Sequence, residues 1–303
     1  MKVLITGASG SLGRSLVGEL QGAGWELLLL GRSLDRLRQA FPGAGFNLVQ
    51  TDYGVSRLGP MLASVDAVVH LAARRYSRDF PSISDYDDNV TSTGNLARAA
   101  AEAGAQRFVF ASTRMIYSHE VNSVPFREDE PVAPRNPYAI SKLAAENAGA
   151  MAFPGFIALR FAQLVGLGER EEFFLTTAVR SAQAGKPITV FGSGSGARDY
   201  LYVRDAAQAI VRAIQSPGAA GVFNIGSGVA TSHLELAGLV SKVFSGGRSG
   251  TALDPSRPED ASRTCLDIGR AARDLDWRPR YSLEQALEEM REQAAGGPGR
   301  AGA

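Results

Sequence analysis

The stretch Lys2-Val3-Leu4-Ile5-Thr6-Gly7-Ala8-Ser9-Gly10-Ser11-Leu12-Gly13 opens the chain and decides the fold. An apolar run stops at a glycine, and two further glycines follow at intervals of three. Apolar residues then recur at helical spacing: Leu12, Leu16, Val17 and Leu20. The stretch predicts a strand, a tight turn and a helix, whose N-terminus offers free N–H groups and a positive dipole end to a dinucleotide pyrophosphate. A plain turn is the alternative, because the spacing G-x-x-G-x-x-G differs from the usual G-x-G-x-x-G.

Composition and charge limit the classes of protein to which the chain can belong. The 303 residues are 45% hydrophobic and 21% charged, enough for a large core in one α/β domain or two coupled lobes. A net charge of +1 does not favour nucleic acid or an anionic membrane as a partner, and no apolar run is long enough to span a bilayer. The single cysteine, Cys265, cannot form an internal disulfide, and the first residues lack a signal-peptide layout. We therefore expect a cytoplasmic protein with a disordered Gly/Ala/Pro-rich tail at 294–303.

The end of the second predicted strand bears on cofactor selectivity. The apolar run 26–30 ends at Gly31, Arg32 and Ser33. At this point of a dinucleotide-binding unit a carboxylate binds the ribose 2′-hydroxyl, whereas an arginine pairs with a 2′-phosphate. Because Arg32 and Ser33 occur without an acid, the sequence favours NADP(H) over NAD(H). The alternative is that Arg32 is a solvated residue beside the next helix.

Three further strands are predicted, at 47–50, 65–71 and 107–111. Small or polar residues follow each of them: Asp52 and Tyr53, then Ala72 and Ala73, then Ser112 and Thr113. Ligands of parallel sheets bind at the carboxyl ends of the strands, so these residues are candidates for a cofactor crevice. The pattern predicts an α/β fold with a Rossmann-type, doubly wound parallel sheet. His70, at the end of an apolar strand, is interpreted as a packed histidine rather than a ligand or base.

Tyr138 and Lys142 form the chemical centre of the sequence. They are four residues apart on a predicted helix and so share one face. A free tyrosine has a pKa of about 10, and a nearby ammonium favours the phenolate and lowers that pKa. Tyr138 can then move a proton to or from a sugar hydroxyl, with Thr113 hydrogen-bonded to the same oxygen. Read alone, the spacing is also that of an ordinary surface pair.

Together these motifs resemble the extended short-chain dehydrogenases/reductases, in the nucleotide-sugar epimerase/dehydratase group that includes UDP-galactose 4-epimerase-like proteins. The matching stretches run from residue 1 to about residue 290. They are Thr6 to Gly13, His70 to Ala73, Asn89-Val90, Ser112-Thr113, Tyr138 with Lys142, Arg160 to Gly166, Arg198-Asp199-Tyr200, Asp205, Asn224 to Gly226 and Arg257-Pro258.

The resemblance implies a Rossmann lobe at 1–163 plus about 204–225, and a smaller C-terminal α/β lobe for a nucleotide sugar at 164–203 and 226–293. It implies that Thr113, Tyr138 and Lys142 are catalytic and that the protein is a homodimer through helices 89–103 and 138–151. We predict that NAD(P) is bound by the catalytic pair Tyr138 and Lys142 and by Gly7, Ser9, Gly10, Ser11, Leu12, Gly13, Arg32, Ser33, Asp52, Tyr53, Leu71, Ala72 and Ala73.

Four residues are predicted to bind the substrate, a nucleotide-diphosphate sugar: Arg114, Gln163, Arg198 and Arg257. Paired arginines suit a pyrophosphate because each guanidinium can donate two parallel hydrogen bonds. The alternative for the last two is a surface ion pair, with Asp199 or Glu259. Gln163 departs from the asparagine that the family usually has at this point.

Departures from the family pattern reduce the number of reactions that the sequence could support. Arg114 and Met115 follow Thr113, where the family's dehydratases have Asp-Glu and its decarboxylases have Ser-Glu. The resemblance therefore implies hydride chemistry without elimination. The main prediction is an NAD(P)-dependent epimerase that acts through a transient 4-keto sugar. Arg32 and Ser33 favour the alternative, an NADPH-dependent reductase of a 4-keto nucleotide sugar.

A dinucleotide-binding protein without catalysis is a further alternative, which the presence of Thr113, Tyr138 and Lys142 disfavours. Metal catalysis is not expected, because His70, His119 and His233 show no ligand spacing and there is one cysteine.

Overall fold

The computed structural model describes residues 1–43, 45–77, 79–118, 120, 124–168, 173–258 and 260–295. The strands are β1 Lys2–Thr6, β2 Glu26–Gly31, β3 Asn47–Gln50, β4 Ala67–His70, β5 Arg107–Thr113, β6 Ile157–Phe161, β7 Gln163–Val165, β8 Ile188–Phe191, β9 Ala197–Tyr202, β10 Gly221–Ile225, β11 Ala230–Ser232 and β12 Thr251–Asp254. The helices are α1 Ser11–Gly22, α2 Leu34–Ala40, α3 Val55–Leu62, α4 Asp87–Glu102, α5 Pro137–Ala152, α6 Phe174–Gln183, α7 Val203–Gln215, α8 His233–Ser245, α9 Gly269–Asp274 and α10 Leu283–Ala295.

Seven parallel strands form the main sheet, in the order β10-β6-β5-β4-β1-β2-β3. The order reverses between β1 and β4, and ligands of such sheets bind in the crevice at this switch point. The register pairs Thr6 with His70 and His70 with Phe110, so the three residues lie at one level across the sheet. The predicted Rossmann-type fold is confirmed.

Apolar clusters cover both faces of this sheet. β1 and β4 are buried along almost their whole length, as expected for strands with helices on both sides. On one face α1 packs against α7, with Leu16, Val17 and Leu20 in the core. On the other face α4 packs against α5, with Leu96 and Ala145 in the core. The helical spacing read from the first stretch thus identifies the buried side of α1 correctly.

Two smaller sheets lie in the C-terminal half of the chain. β9 pairs parallel with β7 and antiparallel with β11, and β8 pairs parallel with β12. The buried carboxylate of Asp199 accepts hydrogen bonds from the backbone N–H groups of Ser227, Gly228 and Leu266, and so ties three segments together. The predicted lobe boundaries near 163, 204 and 225 stay a prediction.

Some elements differ from the sequence prediction. β5 continues through Thr113 rather than ending at residue 111, and residues 294–295 of the predicted disordered tail belong to α10. The remainder of that tail, 296–303, lies outside the described residues, as does His119. β7 and β11 escaped prediction because each has three residues, too few for a periodic pattern.

Candidate active site

The first turn forms a cradle that only glycine can line. Gly7 has φ +71°, and a Cβ there would lie 2.6 Å from the backbone nitrogen of Ala72. A Cβ on Gly13 would lie 2.5 Å from the Cα of Ala8. Gly10 caps α1 without a side chain, and the first N–H groups of a helix have no acceptor within it. The cradle fits the pyrophosphate of a dinucleotide, whose charge these N–H groups and the helix dipole would balance.

The loop after β7 closes on this cradle. The Ser11 hydroxyl donates to the carbonyl oxygen of Leu167 at 2.9 Å. Arg14 Nη1 donates to the carbonyl oxygen of Ser9 at 2.7 Å. Sequence reasoning did not single out Arg14, because an arginine on the exposed side of a helix looks like an ordinary solvated residue.

At the end of β2, Arg32 and Ser33 already have protein partners. Arg32 Nη2 lies 2.8 Å from Asp88 Oδ2, and its guanidinium carbon lies 5.8 Å from the centroid of the Tyr53 ring. The Ser33 hydroxyl accepts from the Arg36 N–H and so caps α2. A cofactor 2′-phosphate would have to compete with Asp88 for Arg32.

The residues after β3 are held in a tight turn. Asp52 accepts from the Gly54 N–H at 2.9 Å, and this bond lowers the pKa of the exposed Asp52 carboxyl. Tyr53 has φ +62°, a value that few non-glycine residues adopt, and its side chain is buried. The Asn95 side-chain amide donates to the Tyr53 carbonyl oxygen at 3.2 Å. The prediction that Asp52 and Tyr53 bind the cofactor stays a prediction.

His70 is fully buried beneath the crevice. Its Nδ1 lies 2.6 Å from Thr6 Oγ1, and that oxygen accepts from the Ala72 N–H at 3.2 Å. Its ring stacks on Phe110 with the ring centroids 5.8 Å apart. Burial, helped by the Lys142 charge, lowers the pKa of His70 to about 3. His70 is therefore a neutral packing residue that holds the segment after β4 against β1, as its position in an apolar strand indicates.

The proposed catalytic residues lie on two neighbouring elements. Thr113 is the last residue of β5, and its hydroxyl accepts from the Met115 N–H at 3.2 Å. Tyr138 and Lys142 lie in the first two turns of α5, which packs against β5. Lys142 is 2% exposed, and its Nζ lies 3.9 Å from the ring centroid of Phe110 on β5. The helix that carries Tyr138 and Lys142 thus packs against the strand that ends at Thr113.

The charge of Lys142 is set by burial and by Glu146. Burial lowers the pKa of Lys142 to about 7, and the negative charge of Glu146, one helical turn later, opposes that shift. Glu146 is itself buried and accepts two hydrogen bonds from Arg160, at 2.8 and 3.1 Å. Arg160 also donates to the Tyr117 hydroxyl at 2.8 Å, so β6 and α5 are joined by a buried charged pair.

Asn89 on α4 fixes the position of α5 and of the loop after β4. Its side chain accepts from the Arg74 N–H at 2.7 Å and donates to the Arg74 carbonyl oxygen and to the Ser141 hydroxyl. Ser141 lies between Tyr138 and Lys142. The ring of the buried Tyr86 lies 6.0 Å from that of Tyr138 between centroids. These contacts leave α5 little freedom to shift along the sheet.

A cavity of about 140 Å³ is formed by residues that follow β6 in the chain. It is lined by Gln163, Leu164, Val165, Phe173, Phe174, Leu175, Thr176, Arg198, Tyr200 and His233. The rings of Phe174 and His233 lie 5.3 Å apart between centroids. The sequence singled out Gln163 and Arg198, but missed Phe174 and His233, which lie on two helices that are far apart in the sequence and packed together in the fold.

The two arginines assigned to the diphosphate have different surroundings. Arg198 lines the cavity, donates to the Ala197 carbonyl oxygen at 2.8 Å and forms an ion pair with Asp260 rather than with Asp199. Arg257 is exposed, lies 4.8 Å from the ring centroid of Phe191, and is not among the cavity's lining residues. Its alternative partner, Glu259, lies outside the described residues. The structure thus brings Arg198, but not Arg257, to the cavity.

Metal-binding clusters and membrane-spanning helices are absent from the described residues. No group of three or more His, Cys, Asp or Glu side chains within the described ranges is arranged to hold a metal ion. No described helix has the length and apolar character needed to cross a membrane.

Comparisons with known proteins agree with this architecture. Residues 3–226 match the model of the NAD dependent epimerase/dehydratase family. A UDP-glucose 4-epimerase from Mycolicibacterium smegmatis is 32% identical over 305 residues, which cover 95% of this chain and 96% of that protein. The crystal structure of a UDP-N-acetylglucosamine 4-epimerase from Bacillus cereus superposes with a TM-score of 0.86 at 31% identity, covering 98% and 97% of the two chains. The structure of MoeE5 with UDP-glucose and NAD superposes with a TM-score of 0.83 at 28% identity, covering 98% and 99%.

Proposed function

Because the chain belongs to the NAD-dependent epimerase/dehydratase family, we propose that it is a nucleotide-sugar epimerase that acts through a transient 4-keto sugar. The observation that carries the proposal is the position of Lys142 and Tyr138 on a helix packed against β5, whose last residue is Thr113. The glycine cradle at Gly7 and Gly13 lies across the switch point of the same sheet.

The chain's own residues would handle the proton. A dinucleotide held at the cradle of Gly7 and Gly13 would supply the acceptor and donor for the hydride of the sugar carbon. Tyr138 takes the proton of the C4 hydroxyl, and Thr113 donates a hydrogen bond to the same oxygen. The positive charge of Lys142 favours the Tyr138 phenolate. In the second half-reaction Tyr138 would return the proton to the same oxygen while the hydride goes back to C4, so that no net oxidation occurs.

The cavity beside Arg198 suits the nucleotide half of the substrate. The aromatic rings of Phe174 and His233 offer flat surfaces to a base, and the Gln163 amide offers hydrogen bonds. Arg198 supplies a charge for the diphosphate. Anchoring the nucleotide there would let the sugar turn over while the base stays bound. The UDP sugars named for the relatives make a UDP-hexose the first substrate to try.

Two opposing features bear on the choice between NAD and NADP. The similar structure of MoeE5 is described with NAD, whereas Arg32 and Ser33 of this chain replace the acid that would repel a 2′-phosphate. Asp88 neutralises Arg32 in this structure. Our proposal is therefore NAD(P), with the NADP preference of the sequence dependent on release of Arg32 from Asp88.

We also propose a homodimer through α4 and α5. Two apolar side chains, Ile140 and Met151, project from one side of α5 with exposed fractions of 43% and 89%. A second copy packed on this side would cover both of them. Light scattering after size exclusion tests this, and Met151→Glu is expected to favour the monomer.

The experiment that tests the main proposal begins with the nucleotide that the purified protein releases on denaturation. An epimerase returns its cofactor to the starting redox state, so we expect stoichiometric NAD or NADP and conversion of UDP-glucose to UDP-galactose without added cofactor. Tyr138→Phe should retain the cofactor and lose turnover.

A protein that purifies empty and consumes NADPH with a 4-keto nucleotide sugar would establish the reductase instead. Undiminished turnover in Tyr138→Phe would contradict both enzymatic assignments.

A further inference from the structure

The strap, defined as residues 166–168 directly after β7, lies against the first turn of α1. The Ser11 hydroxyl donates to the carbonyl oxygen of Leu167 in the strap at 2.9 Å. A Cβ on Gly168 would lie 2.7 Å from Arg14 Nη2, so the backbone of the strap also packs closely on the Arg14 guanidinium. The strap thus contacts the side chains of two residues in the first turn of α1.

The fit of the strap depends on the glycines at its two ends. Gly166 is buried, and a Cβ there would lie 2.7 Å from Val203 Cγ1 and 3.3 Å from Ser11 Oγ. Gly168 has φ +83°, a backbone conformation that residues with a Cβ rarely adopt. A larger residue at either position would push the strap away from α1.

Arg14 joins the strap to the glycine cradle. Its Nη1 donates to the carbonyl oxygen of Ser9 at 2.7 Å, and Ser9 lies between Gly7 and Gly10 in the turn that forms the cradle. One guanidinium therefore contacts the cradle turn through Nη1 and the strap through Nη2. Because the first turn of α1 contains no acidic residue, the Arg14 charge and the helix dipole both make this region positive, which suits a diphosphate.

The strap is continuous with the substrate cavity. Gln163 and Val165 of β7 line that cavity, and Val165 belongs to the apolar cluster of the C-terminal half. Leu12, beside Ser11 at the start of α1, packs against this cluster as well as against the cluster of the main sheet. The strap is therefore fixed by core packing where it begins and by α1 along its length.

We propose that the strap retains the dinucleotide in its cradle, and that Arg14 is the positioning residue that holds the strap and the cradle turn together. The strap borders the first N–H groups of α1, which would bind the pyrophosphate, so we expect its contacts to loosen when the cofactor leaves. The inference rests on the proposed function, since an epimerase that returns its cofactor to the starting redox state can keep it between turnovers.

The test measures the release of NADH from the loaded protein, as the loss of nicotinamide fluorescence after mixing with excess NAD. In Arg14→Met, which removes the donors of a long side chain, the dissociation rate constant should rise roughly 10- to 100-fold, the range for loss of a hydrogen bond to a charged group. The association rate constant should change far less. Arg14→Lys, which can donate to the Ser9 carbonyl oxygen but lacks the fork, should lie between the two. Arg248→Met, at an exposed arginine, is the control for the loss of one positive charge.

Gly168→Ala tests the strap while Arg14 is kept. The added methyl group meets the Arg14 guanidinium in a strained backbone conformation, so this variant should also release NADH faster. Gly104→Ala is the matched control for strain, because Gly104 has φ +78° and nothing lies within 4 Å of a Cβ there. The double variant Arg14→Met/Gly168→Ala should release NADH about as fast as the faster single variant, since both changes disrupt the same contact.

Unchanged release of NADH in Arg14→Met would overturn the inference and leave the epimerase proposal standing. Slower association in Arg14→Met, together with unchanged release in Gly168→Ala, would assign Arg14 to the charge of the cofactor and overturn the inference as well. Failure of the wild type to bind NADH or NAD would remove the dinucleotide site of the proposed function, and this inference with it. Arg14→Met decides the question if Gly168→Ala does not fold, and thermal unfolding identifies a variant that is merely unstable.

Discussion

Lys142 holds its ammonium over the face of Phe110, with 3.9 Å between Nζ and the ring centroid. The ring offers weak cation–π stabilisation, but burial still lowers the pKa of Lys142 to about 7 from 10.5. Burial therefore makes the positive charge of Lys142 unfavourable in the folded protein.

We expect Lys142→Met to stabilise the cofactor-free fold at or below pH 7 while it abolishes turnover. The folded-state pKa of Lys142 is lowered, so between pH 7 and 10.5 the unfolded chain binds more protons than the folded one, and wild-type stability rises with pH across this window. The free energy of unfolding of Lys142→Met should exceed that of the wild type by on the order of 1–4 kcal/mol at pH 7, and this difference should decrease towards pH 10. Urea unfolding of both proteins at pH 6.5 and 9.5 checks this. A difference that is constant with pH would contradict it.

Gly13→Ala is expected to destroy the dinucleotide cradle. The added methyl group would enter the space of the Ala8 backbone, which cannot move without distorting the turn. The variant should purify without nucleotide. Gly18→Ala is the matched control in the same helix: nothing lies within 4 Å of a Cβ there, and the change should stabilise the protein by about 1 kcal/mol. Retention of nucleotide by Gly13→Ala, measured by absorbance after denaturation, would place the cofactor elsewhere.

Glu146→Gln should destabilise the fold by roughly 3–5 kcal/mol, because it leaves the buried guanidinium of Arg160 without its counter-charge. The double variant Glu146→Gln/Arg160→Met removes both charges and should recover much of the loss. Chemical denaturation measures both. If the double variant is as unstable as the single one, the cost comes from packing rather than from the unpaired charge.

Arg32 should control any NADP preference. In Arg32→Glu, affinity for NADP should fall roughly 10-fold more than affinity for NAD, because a carboxylate repels the 2′-phosphate. Asp88→Asn should have the opposite effect, since it releases Arg32 from its ion pair. Fluorescence titration of the nucleotide-free protein measures both affinities. A parallel loss of NAD and NADP in Arg32→Glu would show that Arg32 only supports the fold.

The features that the sequence predicted well are local ones. The strand, turn and helix around Gly7 and Gly13 need only neighbouring residues, and the helical spacing of Tyr138 and Lys142 is a property of one element. The confirmed parallel sheet follows from the alternation of such units.

The cavity at Arg198 could not be predicted in the same way. Its wall is assembled from β7, β9, α6 and α8, and the contact between Phe174 and His233 joins residues about 60 positions apart. The ion-pair partner of Arg198 could not be predicted from the sequence either. Its sequence neighbour Asp199 is occupied by backbone N–H groups, and the ion pair forms with Asp260 instead.

The chain returns to the main sheet at β10, after it has formed β9 in a smaller sheet. This order of elements has a consequence for engineering. Some of the residues that would contact the substrate come before α7 in the sequence, and others come after β10. A chimera that imports another specificity from a relative must therefore exchange two separate segments and preserve 203–225 between them. A chimera with a single crossover would contain only part of the residues that contact the new substrate.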